Sequence, residues 1–331
     1  MTRYILHRFT GMLVTMFFVS IIIFVIMELP PGDYADRYAF RKFSGTGVKI
    51  TQSDIDTIRH GFGLDKPAYQ RYFHWIEGIV TRFDFGQSFA FETSVNNVIG
   101  QRLWLTLAIL FSTLTLTYLL AVPIAVYAAI RKGSTGDYAL TVLSYLGLAL
   151  PNFLLALILL YFSVSVFHTS IGGLFSPELE QAPWGPAKSL DLFKHLIIPA
   201  IVLAWSATAL QIQTVRATML DELNKLSVIA ARARGIPEWK LILKYPVRLA
   251  VNPVVSTIGF DVNRIFSELP IVALVLGLPE LGELLIQSFM DLDMYVAGAI
   301  LLMLTFFIVV MNFISDIALA LLDPRINLTG N

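Results

Sequence analysis

The chain has 331 residues, of which 56% are hydrophobic and 15% charged, with a formal net charge of zero and a mean hydropathy of +0.69. A soluble domain carries about 25% charged residues, so composition argues against one, and the balanced charge offers nothing to a nucleic acid. The lack of cysteine removes disulfides, thiolate catalysis and Cys-ligated metal sites.

The first apolar block follows Arg3, His7 and Arg8 and runs from about Phe9 to Leu29. A secretory signal core has about 7–15 residues. This block is long enough to span, and no small-x-small cleavage site precedes Pro30-Pro31-Gly32-Asp33. It reads as an uncleaved first transmembrane helix. Five more blocks follow, at Leu103–Ile130, Tyr138–Phe167, Leu196–Val215, Leu249–Leu276 and Met294–Leu322, each able to cross a ~30 Å hydrocarbon layer at about 1.5 Å per residue. The third contains Pro151-Asn152 and reads as one kinked helix, because neighbouring helices can satisfy the carbonyl that a proline frees.

The expected fold is therefore all-α: a polytopic membrane protein with six transmembrane helices. Its divisions are an N-terminal tail and first helix (1–29), an extracytoplasmic segment (30–101), a five-helix core (102–323) containing a loop at 216–248, and a tail (324–331). Arg3, Arg8, Arg131, Lys132, Arg216, Lys225, Arg232, Arg234, Lys240, Lys244, Arg248 and Arg325 all fall on one side of this arrangement. By the positive-inside rule that side is cytoplasmic, with both termini.

Within the extracytoplasmic segment, Thr51-Gln52-Ser53-Asp54 reads as a helix cap ahead of Ile55 and Ile58. Gly61-Phe62-Gly63 breaks that helix. Pro67 opens another, with Tyr69, Tyr72, Phe73, Ile76, Ile79 and Val80 at helical spacing. Two compatible readings stay open: a small cap packed on the membrane face, and a docking surface for a soluble partner.

The 216–248 loop is the most informative stretch. Met219–Ala233 reads as a helix ending on Arg234-Gly235, where glycine supplies a left-handed cap, and Pro237 opens a second short helix with Glu238 in its first turn. Ala230-Ala231 at the corner leave the backbone open to another surface. Span five carries Thr257, Asp261, Arg264 and Glu268 at spacings of three and four, hence on one face. A charge at membrane depth costs about 2.5–3.5 kcal/mol on insertion scales and faces a bundle interior or a wet cavity. The face is either an internal ion-pair network or a lining of a translocation path.

Span four offers Thr208, Gln211 and Thr214, read as helix-to-helix glue. Trp104 and Trp205 read as packing or interface anchors, and Tyr127 and Tyr138 as an aromatic belt. His7, His60, His74, His168 and His195 are scattered, which argues against a metal site. No G-x-x-x-x-G-K-[ST], H-E-x-x-H or G-x-S-x-G is present, so ATP hydrolysis, zinc proteolysis and serine hydrolysis have no motif here. Asn327-Leu328-Thr329 fits a glycosylation pattern by chance, since it falls on the cytoplasmic side.

Ala230-Ala231-Arg232-Ala233-Arg234-Gly235 resembles the EAA loop (Glu-Ala-Ala, three residues, Gly) of ABC importer permeases, with Ile229 in place of the Glu. Arg248 and Pro253 also fit, while Tyr245-Pro246 replaces a commoner His-Ala pair. Tyr4-Ile5-Leu6-His7-Arg8, Leu29-Pro30-Pro31-Gly32-Asp33, Gly63-Leu64-Asp65-Lys66-Pro67, Phe83-Asp84-Phe85-Gly86-Gln87-Ser88, Asp316 and Asp323-Pro324-Arg325-Ile326 are similar to the oligopeptide, dipeptide and nickel branch in order and across nearly the whole chain. Ala273, Leu276 and Pro279-Glu280-Leu281-Gly282 depart from its span-five pattern.

The resemblance implies a non-enzymatic permease subunit of the bacterial inner membrane, forming half of a path for peptides. Oligosaccharides, opines or nickel complexes are alternative cargoes. Ala230, Ala231, Arg232, Arg234, Gly235, Ile236, Pro237 and Glu238 would couple to two ATPase subunits, which hold ATP and Mg while this chain binds no cofactor. A second permease and an extracytoplasmic binding protein complete the implied assembly. A secondary transporter is the reading from another class, but it predicts internal inverted repeats, and none is evident. An integral-membrane enzyme would need convergent chemistry at one depth, and Asp261–Glu268 alone is too thin for that.

Overall fold

The computed structural model describes residues 2–29, 35, 38–39, 51–61, 63–166, 172–176 and 178–322. Pro30-Pro31-Gly32-Asp33, Phe62, His168, Asp323-Pro324-Arg325-Ile326, Asn327-Leu328-Thr329 and the 324–331 tail lie outside the described residues. Among the described residues all regular structure is helical, and the only β-type pairing is an isolated bridge between Gln87 and Ser94.

The helices in chain order are α1 (Thr2–Glu28), α2 (Gln52–Gly61), α3 (Ala68–Arg82), α4 (Val95–Ile130), α5 (Thr135–Ala149), α6 (Asn152–Ser165), α7 (Pro186–Leu223), α8 (Leu226–Ala233) and α9 (Glu238–Ile242). A π-helical turn at Leu243–Val247 leads to α10 (Arg248–Ala250), α11 (Asn252–Ser256), α12 (Ile258–Leu276), α13 (Leu281–Met290) and α14 (Met294–Leu322). Helices α1, α4, α7 and α14 are each long and apolar enough to cross a membrane. The pairs α5–α6 and α12–α13 pass that test only when each broken pair is taken together, so among the described residues the count is four, or six if each pair is one span.

The third block is broken rather than kinked. Leu150, before the proline, takes the extended conformation (φ −91°, ψ 116°) that proline imposes on its predecessor. Pro151 then caps α6, which leaves α5 at 100°. The fifth block also divides: Pro253 starts α11, and Thr257 (φ −98°, ψ 0°) interrupts the helix before α12. The fourth, expected at Leu196–Val215, extends to Pro186–Leu223. Its polar start is helical because its charges are satisfied locally. Buried Lys188 donates to the carbonyls of Glu180 and Ala182 (2.8 and 2.7 Å) and lies over the Phe175 and Trp184 rings, while Asp191 accepts from the Ser176 amide and hydroxyl.

The chain divides into two compact units. The first comprises Met1–Met12, Leu105–Pro279 and Ile308–Asn331, the second Leu13–Trp104 and Glu280–Phe307. The core of the first unit packs small residues of α4 (Ala121, Ala125, Ala129) against Ile212, Val215 and Met219 of α7. In the same unit α5 approaches α7 closely at Gly147, where an added Cβ would lie 2.7 Å from Ala209 Cβ.

The second unit contains two clusters, one around Val95, Ile99, Leu281, Leu284 and Ile300, the other around Ile23, Phe24, Met27, Trp75 and Leu302. Here the cap expected at Thr51 forms, with Asp54 accepting from the Thr51 amide (3.0 Å) and hydroxyl (2.6 Å). The 83–88 motif folds as a pinned turn. Gly86 has φ +101°, Asn96 Oδ1 accepts from the Phe85 amide, and buried Asp293 accepts from Ser88 Oγ (2.5 Å) and the Ala90 amide (2.9 Å).

Gly147→Val overpacks the α5–α7 contact and is expected to cost about 1–3 kcal/mol. Gly100→Ala, on an open helical surface, should instead gain about 0.5–1 kcal/mol. Thermal unfolding in detergent checks both: the midpoint falls for the first and rises for the second.

Candidate functional site

The 216–248 region is two capped helices pinned to a core. Helix α7 stops at Leu223, where the Asn224 side chain donates through Nδ2 to the Leu220 carbonyl (2.8 Å). Met219 therefore belongs to α7, and the single helix expected over Met219–Ala233 is broken at Asn224-Lys225. Helix α8 ends as expected at Gly235, whose φ of +74° is left-handed and whose surroundings are open. Glycine is thus required there for backbone conformation, not space. Pro237 caps α9 from an extended conformation (φ −53°, ψ 135°).

Across this turn Arg232 reaches Glu238 in a two-pronged contact, Nη2 to Oε1 at 2.5 Å and Nε to Oε2 at 3.1 Å. The guanidinium holds the Glu238 carboxyl below the usual carboxylate range, and the carboxylate in turn raises Arg232. Both groups are solvated, so the pair fixes turn geometry more than it stabilises the fold.

The loop has an inner and an outer side. Val228 and Ala231 of α8 and Leu241 and Ile242 of α9 are buried in one cluster with Val215, Met219, Ala125 and Ala129. On the outside, Leu226 is 83% exposed, Ile229 50% and Trp239 62%. Ala230, Arg232, Arg234, Gly235, Pro237 and Glu238 are also exposed, and Ile236 is half-buried. The expected small corner divides accordingly: Ala230 is open, whereas Ala231 is fully buried. Arg216 lies within α7, where Nε and Nη2 donate to both oxygens of buried Asp137 (2.7 and 2.8 Å). The Gly133 amide adds a third donor to Asp137.

The second candidate is the polar set in span five. Asp261, 3% exposed, accepts from Tyr118 OH (2.7 Å) and Gln211 Nε2 (2.7 Å) on one oxygen and from Arg264 Nη2 (3.4 Å) on the other. Gln211 Nε2 also reaches Thr257 Oγ1 (3.0 Å). A buried carboxylate needs such donors, because lost hydration is offset only by good internal partners. Among the described residues Glu268 shares no hydrogen bond with this set, though the Arg264 charge reaches it: it accepts from Asn152 Nδ2, which also donates to Ser206 Oγ (3.1 Å) and the Leu203 carbonyl (3.4 Å).

The structure thus joins Thr257 to Asp261 through Gln211, pairs Arg264 with Asp261, and leaves Glu268 hydrogen-bonded to Asn152 within reach of the Arg264 charge. Of the three span-four glue residues, Gln211 bridges helices, Thr214 bonds its own helix at Leu210, and the buried Thr208 hydroxyl has no hydrogen-bond partner among the described residues. Tyr118 and Asn152 escape sequence reasoning. Tyr118 has no charged residue at helical spacing on α4, and Asn152 is overshadowed by Pro151. Ala273 is buried, and Glu280 caps α13 by accepting from the Gly282 and Glu283 amides. Among the described residues no cluster of His, Cys, Asp and Glu has the makings of a metal site.

Residues 121–328 match the family described as binding-protein-dependent transport system inner membrane component, and residues 1–110 match its N-terminal membrane component. A Brucella ovis protein that carries the name of a peptide permease is 33% identical over 99% of this chain and 100% of its own length. The oligopeptide transport system permease protein AppB of Bacillus subtilis is 32% identical over 98% of this chain and 99% of its own. The glutathione transport system permease protein GsiC of Escherichia coli is 27% identical over the same shares.

Gln211→Leu removes a donor to a buried carboxylate and is expected to lower stability by about 1.5–3 kcal/mol. Thr214→Val, on the same helix but bonded only to Leu210, should stay within about 0.5 kcal/mol of the parent. Denaturant unfolding in mixed micelles separates the two.

Proposed function

We propose, from the premise that this chain belongs to the binding-protein-dependent transport system inner membrane component family, that it is a permease subunit of an ATP-driven importer and that its cargo is a peptide. The names of its relatives support the cargo: they read peptide, oligopeptide and glutathione, the last itself a small peptide. In this reading six spans cross the inner membrane, counting each broken pair as one. Both termini and the 216–248 loop face the cytoplasm, and the 30–101 segment lies outside. A second permease completes the path, a binding protein delivers cargo, and two ATPase subunits carry the ATP and Mg that this chain does not bind.

The observation that carries the reading is the two-sided loop. A coupling element must be rigid towards its own subunit and adhesive towards the motor. Val228, Ala231, Leu241 and Ile242 fasten α8 and α9 to the α4–α7 core, while Leu226, Ile229 and Trp239 are left outside. ATPase closure pressing on α8 and α9 would pass into α7 through Met219 and Val215, and into α5 through Asp137–Arg216. Ala230, Arg232, Arg234, Gly235, Ile236, Pro237 and Glu238 shape that contact.

Along the path, Asp261, Arg264 and Thr257 are held by Gln211 and Tyr118. They form a fixed polar girdle, and Glu268 with Asn152 forms a second. In the proposed cycle, substrate charge meets these prearranged groups as α12 moves against α6 and α7.

Leu226→Glu with Ile229→Glu alters only the outer face of α8. Pull-down of the assembled complex is expected to lose the ATPase subunits by about thirtyfold, as for a hot spot worth about 2 kcal/mol, while keeping the second permease. ATP-dependent di- and tripeptide uptake into proteoliposomes should fall with it. ATPase retention equal to the parent would defeat the coupling assignment, and uptake by the lone subunit without ATP would defeat the importer reading.

A further inference from the structure

In the second unit, the aromatic-rich helix α3 packs on the Ser20–Glu28 end of α1 at a depth that a soluble cap would not reach. Between Arg8 and Glu28, α1 has no charged residue, so Phe9 to Met27 is a 19-residue apolar run. At 1.5 Å per residue it is about 28 Å long, the thickness of a hydrocarbon layer. Arg71 of α3 pairs with Glu28 at the end of that run. Tyr72 goes deeper, its hydroxyl 2.9 Å from Ser20 Oγ and its ring 5.4 Å from that of Phe24. Trp75 sits 6.0 Å from the same Phe24 and packs with Ile23 and Met27. Ser20 precedes Glu28 by eight residues, or about 12 Å along the axis. The flank of α1 that α3 covers is therefore the flank a bilayer would otherwise cover.

The composition of α3 fits that depth. At about 100° per residue, Trp75, Ile79, Tyr72, Ile76, Tyr69, Val80 and Phe73 fall in sequence around one apolar arc of roughly 160°. Glu77, Gln70, Thr81, His74, Gly78, Arg71 and Arg82 complete the circle. Only half of the apolar arc meets protein. Trp75 is buried and Tyr72, Ile76 and Ile79 are half-buried in the α1 cluster, whereas Tyr69, Phe73 and Val80 are 62%, 65% and 73% exposed. The α1 face that receives Tyr72 and Trp75 is itself open two turns deeper, at Leu13 and Phe17 (52% and 54% exposed), which precede Ser20 and Phe24 by seven residues and so share their side of the helix.

We infer that α3 is an interfacial helix whose Tyr69, Phe73 and Val80 are seated in the acyl region of the leaflet on the Glu28 side, with its polar arc turned to water. The occupant of the open face is lipid hydrocarbon rather than a binding protein. The argument is continuity: one charge-free surface runs from α1 onto α3, and a single-arc amphipathic helix with aromatic residues at its edge is the form that lies in a membrane interface. The inference rests on α1 being a span and is independent of cargo and coupling.

The chain has no cysteine, so single labelling sites are available directly. Nitroxide labels at Phe73→Cys and Val80→Cys, and at Gln70→Cys and Thr81→Cys on the polar arc, would be measured in the assembled importer. The setting is nanodiscs of phosphatidylcholine and phosphatidylglycerol, and the readout is collision with oxygen against an aqueous nickel chelate. The expected result is strong oxygen preference at 73 and 80 and strong chelate access at 70 and 81. Equal chelate access at all four sites would overturn the inference by placing the face in water. Shielding of 73 and 80 from both agents would overturn it by placing a protein there. Either failure leaves the importer reading standing, because that is tested by ATPase retention and ATP-dependent uptake.

Discussion

Asp261 sits where water cannot hydrate it, and the first unit is arranged around that fact. A carboxylate at 3% exposure requires donors from within the chain, and they come from α4 (Tyr118), α7 (Gln211) and its own helix (Arg264). Hydrophobic packing cannot supply this, because side chains on helices immersed in hydrocarbon gain nothing by exchanging lipid for protein. Three helices sharing one anion have a defined rotation and register; helices sharing only leucines do not. The same rule explains Asp137 under Arg216, Lys188 among two carbonyls and two rings, and Asn152 between Glu268 and Ser206. Asp137 and Asn152 link elements distant in sequence, Lys188 is satisfied by its own neighbourhood, and in each case the partners offset the cost of burying a polar group.

The sequence announces some of this and conceals the rest, for identifiable reasons. Helices α1 and α14 are legible because a long charge-free run has one interpretation in a bilayer. Gly235, Pro237 and the Thr51–Asp54 cap are legible because left-handed backbone, fixed φ and an orphan amide each demand particular residue types. Breaks inside apolar runs are not. Pro151 reads the same in a kinked span and in a chain that turns by 100°, and what accompanies the turn is Asn152 held by groups 51 to 116 residues away. The start of α7 is hidden because Lys188 and Asp191 look like loop charges until the 176–184 segment is seen to satisfy them.

At the polar set, spacing put Thr257, Asp261, Arg264 and Glu268 on one face, and the first three do meet. Periodicity along one helix cannot show what stands opposite. Tyr118 and Asn152 complete the hydrogen bonding of Asp261 and Glu268 from other helices, with Arg264 between the two carboxylates acting on both. A network that fixes helix packing also holds its charges in a fixed geometry, and it is that preorganisation which the proposed function draws on.

Exposed apolar surface means different things on α3 and α8, and the helical wheel separates them. On α3 the apolar residues form one uninterrupted arc, partly on α1 and partly open. A helix in an interface needs only that one arc, since lipid and protein can share it. On α8 the apolar residues fall in two arcs, Val228 with Ala231 on one side and Leu226, Ile229, Ala230 and Ala233 on the other. Arg232 divides them along one edge and Ser227 along the other. The inner arc is consumed by the Met219 and Val215 cluster. The outer arc is narrow and flanked by the Arg232–Glu238 pair at the turn, too small and too closely bordered by charge to lie in hydrocarbon. Such a surface meets its partner over a few residues with charged neighbours at the rim, which is the composition of a protein contact. One chain thus carries two kinds of amphipathic helix, and in the readings proposed above the single-arc form meets lipid while the double-arc form joins its own core to another protein.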